Sequence, residues 1–379
     1  MTSPNWSDFS NRLQSYTKIF TEKFNEFKEN LQASPRNIRL GIWGTTGAGK
    51  TTYLTMLYDA LELSGNWWVE VNPNARSFLE YNLDTIKEER KFPEPTEPGE
   101  LEIYSYILRP KSPRVANSEI ILNFIDAPGE FYENIQDTKG KVIEDEESRE
   151  KDIVDYLIAC DGIIFLLDPI RSKKDNKTYS TLLRKLFQEF QERSRSRRPR
   201  SESNLLEQYM AFCVTKFDRE ELWNKGDESD KLAENVMGWE LQRLQNFCRL
   251  ELDRETGKNK PSKENRCEFF SVSSIGRYQD KDGKSQVSVI EPAQTSNSNS
   301  QEKSKSNQQL KKGYDFDDDT PSQPINTNPS SSSSKCQPTI KSDVTLNSYN
   351  VLEPVEWLIQ RIQNHPPSRP NTSNSPKQN

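Results

Sequence analysis

The stretch Ile38-Arg39-Leu40-Gly41-Ile42-Trp43-Gly44-Thr45-Thr46-Gly47-Ala48-Gly49-Lys50-Thr51 decides the reading of this chain. Ile38 to Trp43 is an apolar run of strand length, and Gly44 to Thr51 fits G-x-x-x-x-G-K-[ST] in full before a helix begins at Lys50 and runs to about Leu63. Strand, glycine-rich turn and helix form one unit with a physical purpose. The glycines let successive backbone N–H groups turn inward around phosphate oxygens, and the helix N-terminus adds its positive end. Lys50 is placed to reach the β and γ phosphates, and the Thr51 hydroxyl to meet Mg²⁺; Thr52 follows in the same turn and is counted with the loop as nucleotide-binding.

Outward from this unit, segments of helical period and of strand length alternate. A helix is expected near Ala75–Arg90, strands at Leu101–Leu108 and Glu119–Ile125, a charged helix ending near Ile158, and a strand at Gly162–Leu167. A helix over Tyr179–Phe190 and a strand at Tyr209–Val214 follow. Then come a helix carrying Leu232, Val236, Trp239, Leu244 and Phe247 and a strand at Cys267–Val272. The alternation predicts an α/β domain, a doubly wound and mostly parallel sheet of about six strands with helices on both faces.

The domain organisation follows from composition. Residues 1–34 carry Trp6, Phe9, Leu13, Tyr16, Phe20, Phe24, Phe27 and Leu31 at intervals of three and four, an amphipathic helix that ends at Ser34-Pro35. Its aromatic stripe suits packing on the next domain, a partner helix or a membrane surface, and its mixed charges argue against the last. The nucleotide domain spans 35–291. Residues 292–349, rich in Ser, Asn, Gln and Lys, are expected to be a disordered insertion. Val351, Val355, Leu358, Ile359 and Ile362 then mark a last helix of the same domain over 350–364, and 365–379 is expected to be a disordered tail.

Composition excludes other classes. Apolar runs such as Ile163 to Leu167 and Tyr209 to Val214 are far short of the roughly 20 residues a membrane span needs. The N-terminus has no basic start followed by an apolar stretch, so a cytoplasmic location is expected. Five scattered cysteines and one histidine, His365, argue against disulfide frameworks, Cys/His zinc sites and histidine-based catalysis. The net charge is −6, and the arginines of the loop Arg193–Arg200 have no aromatic residues among them, so no nucleic-acid partner is expected. The acidic run Glu144–Asp152 reads as a solvated helix N-terminal half rather than a metal cluster.

Two further segments stand in order after the glycine-rich loop. Ile120–Phe124 leads into Ile125-Asp126-Ala127-Pro128-Gly129, where a carboxylate ends an apolar strand and a glycine follows three residues on. Asp126 suits Mg²⁺, directly or through water, and Gly129 lets a backbone N–H approach a terminal phosphate. Met210–Val214 leads into Thr215-Lys216-Phe217-Asp218. An aspartate there accepts two hydrogen bonds from N1–H and the exocyclic amine of guanine, which adenine cannot supply, while the Lys216 stem lies over the ring.

In these ordered motifs the chain resembles the P-loop GTPases of the translation-factor-related class, with its Ras-like, Arf-like and dynamin-like members. The resemblance covers roughly Ile38 to Ile362 without the insertion, and it implies GTP and GDP as ligands, Mg²⁺ as cofactor and a protein effector or activating partner. By position it also implies two weaker motifs: Thr96 in Pro95-Thr96-Glu97-Pro98-Gly99 as the switch threonine on Mg²⁺, with Thr85, inside an expected helix, a poor second, and a base-reading loop at Ser273-Ser274, where Ile275 replaces the usual lysine. Many members follow D-x-x-G with a glutamine that orients the attacking water. Here Glu130 stands there, either orienting that water or capping the next helix. Lys50, Thr96 and Glu130 are thus the expected catalytic residues, and turnover without an added arginine is expected to be slow. Arg90 is one candidate arginine, a surface-helix role being the simpler reading. The large spacing between motifs and the closing helix Asn350–Leu358 resemble the large prokaryotic double-GTPase or conflict-system types. An ATPase or nucleotide kinase using the same loop, and a nucleotide-binding scaffold with little turnover, are the alternative readings.

Overall fold

A strand whose apolar residues do not alternate with polar ones must be covered on both faces. The computed structural model describes residues 38–45, 47–94, 102–111, 119–126, 157–170, 183–184, 186–190, 192, 208–224, 228–238, 248, 250–252, 259–261, 265–279, 286–291, 339–342 and 344–366. In it a seven-stranded sheet lies between two hydrophobic layers. The elements, in chain order, are β1 (Ile38–Trp43), α1 (Lys50–Leu63), β2 (Trp67–Val71), α2 (Pro73–Lys87), β3 (Glu102–Pro110), β4 (Ile120–Asp126), β5 (Gly162–Leu167) and β6 (Tyr209–Val214). They continue with α3 (Glu220–Trp223), α4 (Ser229–Met237), β7 (Leu250–Leu252), β8 (Asn259–Pro261), β9 (Cys267–Ser271), β10 (Arg277–Gln279), β11 (Gln286–Ser288), β12 (Ile290–Glu291), β13 (Thr339–Ile340) and α5 (Glu353–Asn364).

The sheet order is β2-β3-β4-β1-β5-β6-β9. β1 pairs in parallel with both β4 and β5, and β6 in parallel with β5 and β9. β3 is antiparallel to β2 and to β4. The expected doubly wound, mostly parallel sheet is therefore present, with one strand more than expected. That strand is β2, at the edge. Its half-buried Trp67, Val69 and Val71 alternate with exposed Trp68 and Glu70, the period-2 pattern of a strand with one solvated face.

Successive side chains of the central strands go to opposite layers. Ile163, Phe165 and Leu167 of β5 and Met210, Phe212 and Val214 of β6 join one cluster with Leu157, Phe187, Phe190, Leu232 and Val236. Ile164 and Leu166, with Ala211 and Cys213, join the other, with Leu54, Leu57 and Leu61 of α1 and Val355, Leu358 and Ile362 of α5. The last helix does pack on the sheet, and the approach is close at Gly162. A Cβ there would stand 2.8 Å from Leu40 Cδ2 and 3.0 Å from Leu358 Cδ2. Gly162→Val overpacks this contact, and a loss of about 1–3 kcal/mol is expected, read as a lower urea midpoint.

Several boundaries differ from the sequence reading for local reasons. α2 starts at Pro73 rather than Ala75, because Asn72 Oδ1 accepts the Ala75 N–H at 2.8 Å and Pro73 occupies the first turn. α4 ends at Met237, with Gly238 at φ 60°, and the expected helical positions Trp239, Leu244 and Phe247 lie outside the described residues. Within the segment 292–349, expected to lack order throughout, the C-terminal end is placed. β13 pairs with β12, and Ile340 and Val344 are buried with Met56, Ile86, Ile275 and Val289 in a third cluster. The last helix occupies 353–364 rather than 350–364. The expected N-terminal helix 1–34, residues 292–338 and residues 367–379 lie outside the described residues. Among the described residues no helix is long and apolar enough to cross a membrane.

Candidate functional site

In an open α/β sheet the ligand crevice lies beyond the carboxyl ends of the strands, where neighbouring crossovers part in opposite directions. β1 stands at that point, with β4 on one side and β5 on the other. The Gly44–Thr51 loop leaves β1 there and enters α1 directly. Gly49 at φ 88° and Gly47 at φ 70° hold left-handed backbone that other residues adopt only with strain. The Ala48 N–H closes the turn on the Thr45 carbonyl at 3.1 Å. α1 has no side-chain cap and no acidic residue in its first turn, so its positive end is not offset locally.

Lys50 is buried and folds over its own loop. Its Nζ donates to the carbonyl of Gly44 at 2.8 Å and of Thr45 at 3.4 Å. The ammonium thus stands inside the ring of backbone groups that the motif provides for phosphate. Asp126 ends β4, four residues past Leu122, which pairs with Leu40; Gly44 lies four residues past Leu40 on the neighbouring strand. Asp126 and the start of the loop are therefore brought to the same edge of the sheet. Thr46, Thr96, Gly129 and Glu130 lie outside the described residues.

A second corner forms at the ends of β5, β6 and β9. Thr215 is buried and donates both its N–H, at 2.8 Å, and its Oγ1, at 3.1 Å, to the Leu167 carbonyl, fixing the end of β6 to the end of β5. Lys216 has φ 58°, which turns the chain, and its Nζ pairs with Asp168 Oδ2 at 2.7 Å. Asp168 is 4% exposed, and its Oδ1 accepts the Ile170 N–H. Sequence reasoning passed over Asp168. Its signal was an aspartate directly after the buried β5, which the parallel Leu167–Val214 register sets beside Thr215.

Asp218 is 3% exposed. Its Oδ1 accepts from Ser273 Oγ at 2.7 Å, while its Oδ2 is buried without a hydrogen-bond partner among the described residues. A buried carboxylate oxygen left in that condition is costly unless a ligand meets it. Burial raises the Asp218 carboxyl above its ordinary 3.8, against the opposing pull of the Ser273 hydroxyl, its own backbone N–H, Arg219 and Arg277. Between 3.8 and the raised value the folded chain keeps a proton that the unfolded chain has lost, so stability without ligand falls as pH rises through that window. Ligand binding that needs the carboxylate runs the opposite way. GDP affinity is expected to weaken as pH falls from neutral into that window, and the drop to be missing from Asp218→Asn in parallel fluorescent-GDP titrations.

Ser273, in the loop whose backbone N–H the resemblance implies as the reader of guanine O6, stands at this corner with its N–H already taken. Its N–H donates to the Tyr349 carbonyl at 3.0 Å, and its hydroxyl, which also accepts the Gly276 N–H at 2.9 Å, serves Asp218. The Ser274 N–H makes no hydrogen bond among the described residues. Ile275, where the usual lysine would lie beside a base, is buried in the third cluster instead. Arg277 donates to the Asp218 carbonyl at 2.6 Å and lies 5.0 Å from the Trp223 ring. Neither Arg277 nor Tyr349 carried a sequence signal. The Arg90 carbonyl accepts the Ile340 N–H at 2.9 Å, which fastens β13 to the end of α2. Among the described residues no group of three or more His, Cys, Asp or Glu side chains is placed to hold a metal.

The profile of the family Double-GTPase 2 matches residues 38–274, more than half of the chain. Solved structures of similar fold include the Ski7 GTPase-like domain of S. cerevisiae bound to GTP, 16% identical over 67% of this chain and 46% of that one, with a TM-score of 0.32. The signal recognition particle receptor SRb-GTP/SRX complex of Chaetomium thermophilum is 15% identical over 64% and 93%, with a TM-score of 0.34. A GTP-binding protein of Sulfolobus solfataricus in complex with GDP is 13% identical over 68% and 53%, with a TM-score of 0.27. The chain spans about half the length of the yeast and archaeal chains. No curated protein matches the sequence.

Proposed function

This chain belongs to the Double-GTPase 2 family, and on that premise we propose that it binds GTP with Mg²⁺, hydrolyses it slowly to GDP and phosphate, and signals the difference to a protein partner. The observation that carries the guanine reading is the buried Asp218 carboxylate, with Oδ1 held by Ser273 and Oδ2 unpaired among the described residues. Guanine offers that carboxylate two adjacent N–H donors, and adenine offers neither in that geometry. Lys216, turned by its positive φ and paired with Asp168, is the proposed residue whose stem covers the purine face.

At the other end, the amides of Gly47–Thr51 and the uncapped start of α1 suit the phosphates. The Lys50 ammonium is positioned to exchange the Gly44 and Thr45 carbonyls for phosphate oxygens. The oxygen donors suit Mg²⁺, with Thr51, Asp126 and Thr96 as its proposed protein ligands; bound there, the ion would offset charge on the β and γ phosphates. Gly129 and Glu130 are the proposed neighbours of the terminal phosphate and the attacking water. Because such catalysis is mostly positioning and charge stabilisation, slow turnover without an added arginine is the expected intrinsic behaviour.

The loops at 92–100 and 129–141 are the proposed switch, ordered by a terminal phosphate and released after hydrolysis. Limited trypsin digestion should give different patterns with a non-hydrolysable GTP analogue and with GDP; the same pattern in both would remove the switch. Competition between ATP and GTP tests the nucleotide class, and equal competition would favour an ATPase or nucleotide kinase.

A further inference from the structure

We propose that Asn347 and Tyr349, which stand at the C-terminal end of the segment 292–349 and beyond the residues matched by the family, are positioning residues for guanine recognition. They hold the Ser273–Gly276 loop so that Asp218 presents its carboxylate to the base. The inference rests on the guanine reading of Asp218 above.

Ser273 and Tyr349 exchange both backbone hydrogen bonds: the Ser273 N–H reaches the Tyr349 carbonyl at 3.0 Å, and the Tyr349 N–H reaches the Ser273 carbonyl at 2.8 Å. A second bridge joins Gly276 to Asn347. There the two backbones come so close that a Cβ on Gly276, at φ 69°, would fall 1.6 Å from the Asn347 oxygen. Only glycine fits that contact. A loop of two serines, an isoleucine and a glycine has many backbone states of its own, and these two bridges select one.

The side chain of Tyr349 adds a link to the other half of the base corner. Its ring stacks on Phe217, centroids 5.7 Å apart at 23°, and meets Trp223 edge-on at 5.5 Å. Phe217 lies between Lys216 and Asp218. Trp223 carries Arg277, whose guanidinium holds the Asp218 carbonyl. The strand before Tyr349 is anchored in turn, with the Ile340 N–H on the Arg90 carbonyl, the Lys341 N–H on the Val289 carbonyl, and Ile340 and Val344 packed around Ile275. One short segment thus fixes Ser273 through its backbone and Phe217 through its ring, and these two residues decide where the Asp218 carboxylate points.

The test compares GDP with ADP affinity in the full chain, ADP reporting the phosphate loop alone. Wild type should prefer GDP, and Asp218→Asn should lose the preference. Tyr349→Ala should weaken GDP about tenfold while leaving ADP unchanged, and Tyr349→Phe should restore the wild-type ratio, the scale being that of one aromatic contact network. Amide exchange on the wild-type chain requires no variant to fold: the Ser273 and Tyr349 amides should slow together when GDP is added. If Asp218→Asn abolishes the preference while Tyr349→Ala keeps it and the Tyr349 amide ignores GDP, the positioning role is overturned and the guanine reading survives. If wild type shows no preference for GDP over ADP, the guanine reading fails and this inference fails with it.

Discussion

Asp218→Asn is expected to lower GTP affinity at least about 100-fold, because two hydrogen bonds from guanine to a charged acceptor, each worth about 1.5–3 kcal/mol, are lost or weakened. The same substitution should create XTP binding. Xanthine replaces the exocyclic amine with a carbonyl, and an asparagine amide donates to that carbonyl while its own oxygen accepts from N1–H. Isothermal titration with GTP, XTP and ATP reads all three changes at once. The nucleotide-free variant should fold at least as well as wild type at neutral pH. The ionised carboxylate is held at 3% exposure with one oxygen unpaired among the described residues, and its raised protonation point shows that burial penalises the charge. An unchanged GTP preference in a folded Asp218→Asn would mean that the T-K-F-D segment is only a loop.

Lys50→Ala should reduce phosphate release from GTP by about 10²–10³, the usual scale for removing one preorganised charge from a transition state. Ground-state affinity should fall less. Lys50 Nζ sits on the Gly44 and Thr45 carbonyls, so the charge lies within the loop and needs little movement to act. The measurement is single-turnover hydrolysis with enzyme in excess, beside a binding titration, so that chemistry and affinity are read separately. Hydrolysis at the wild-type rate would place turnover elsewhere than the phosphate loop. No measurable hydrolysis by wild type itself, with tight binding retained, would favour a nucleotide-binding scaffold.

The two corners of the candidate site were unequally legible. The phosphate corner is local: Gly44 to Thr51 are consecutive, and their backbone conformation follows from where glycine is required, so the motif predicts the geometry with little help from the rest of the fold. The base corner is not local. Thr215 to Asp218 could be picked out as a strand end, yet Asp168 acts on Lys216 from β5, and Ser273 acts on Asp218 from beyond β9. The Ser273 N–H, expected to face a base, is instead taken by the Tyr349 carbonyl, a partner from far along the chain. The missed strand β2 has a different cause. Its pattern of Trp67, Val69 and Val71 is short and lies between two strong helices, and only pairing with β3 shows which state it adopts.

By itself the sequence determined the class of the sheet, the strand that leads to the phosphate loop, and the order of the three motifs, because apolar runs, glycine positions and helix period act over a few residues. Tertiary structure decided what the sheet places side by side. It set Asp126 and Gly44 at one edge through the β1–β4 pairing, left Asp218 buried with one oxygen unpaired among the described residues, and moved Ile275 into a core. It also carried Tyr349 across the whole insertion to the base corner. Burial and hydrogen-bond partners are properties of neighbours in space, and residues far apart in the chain become neighbours only when the sheet is assembled.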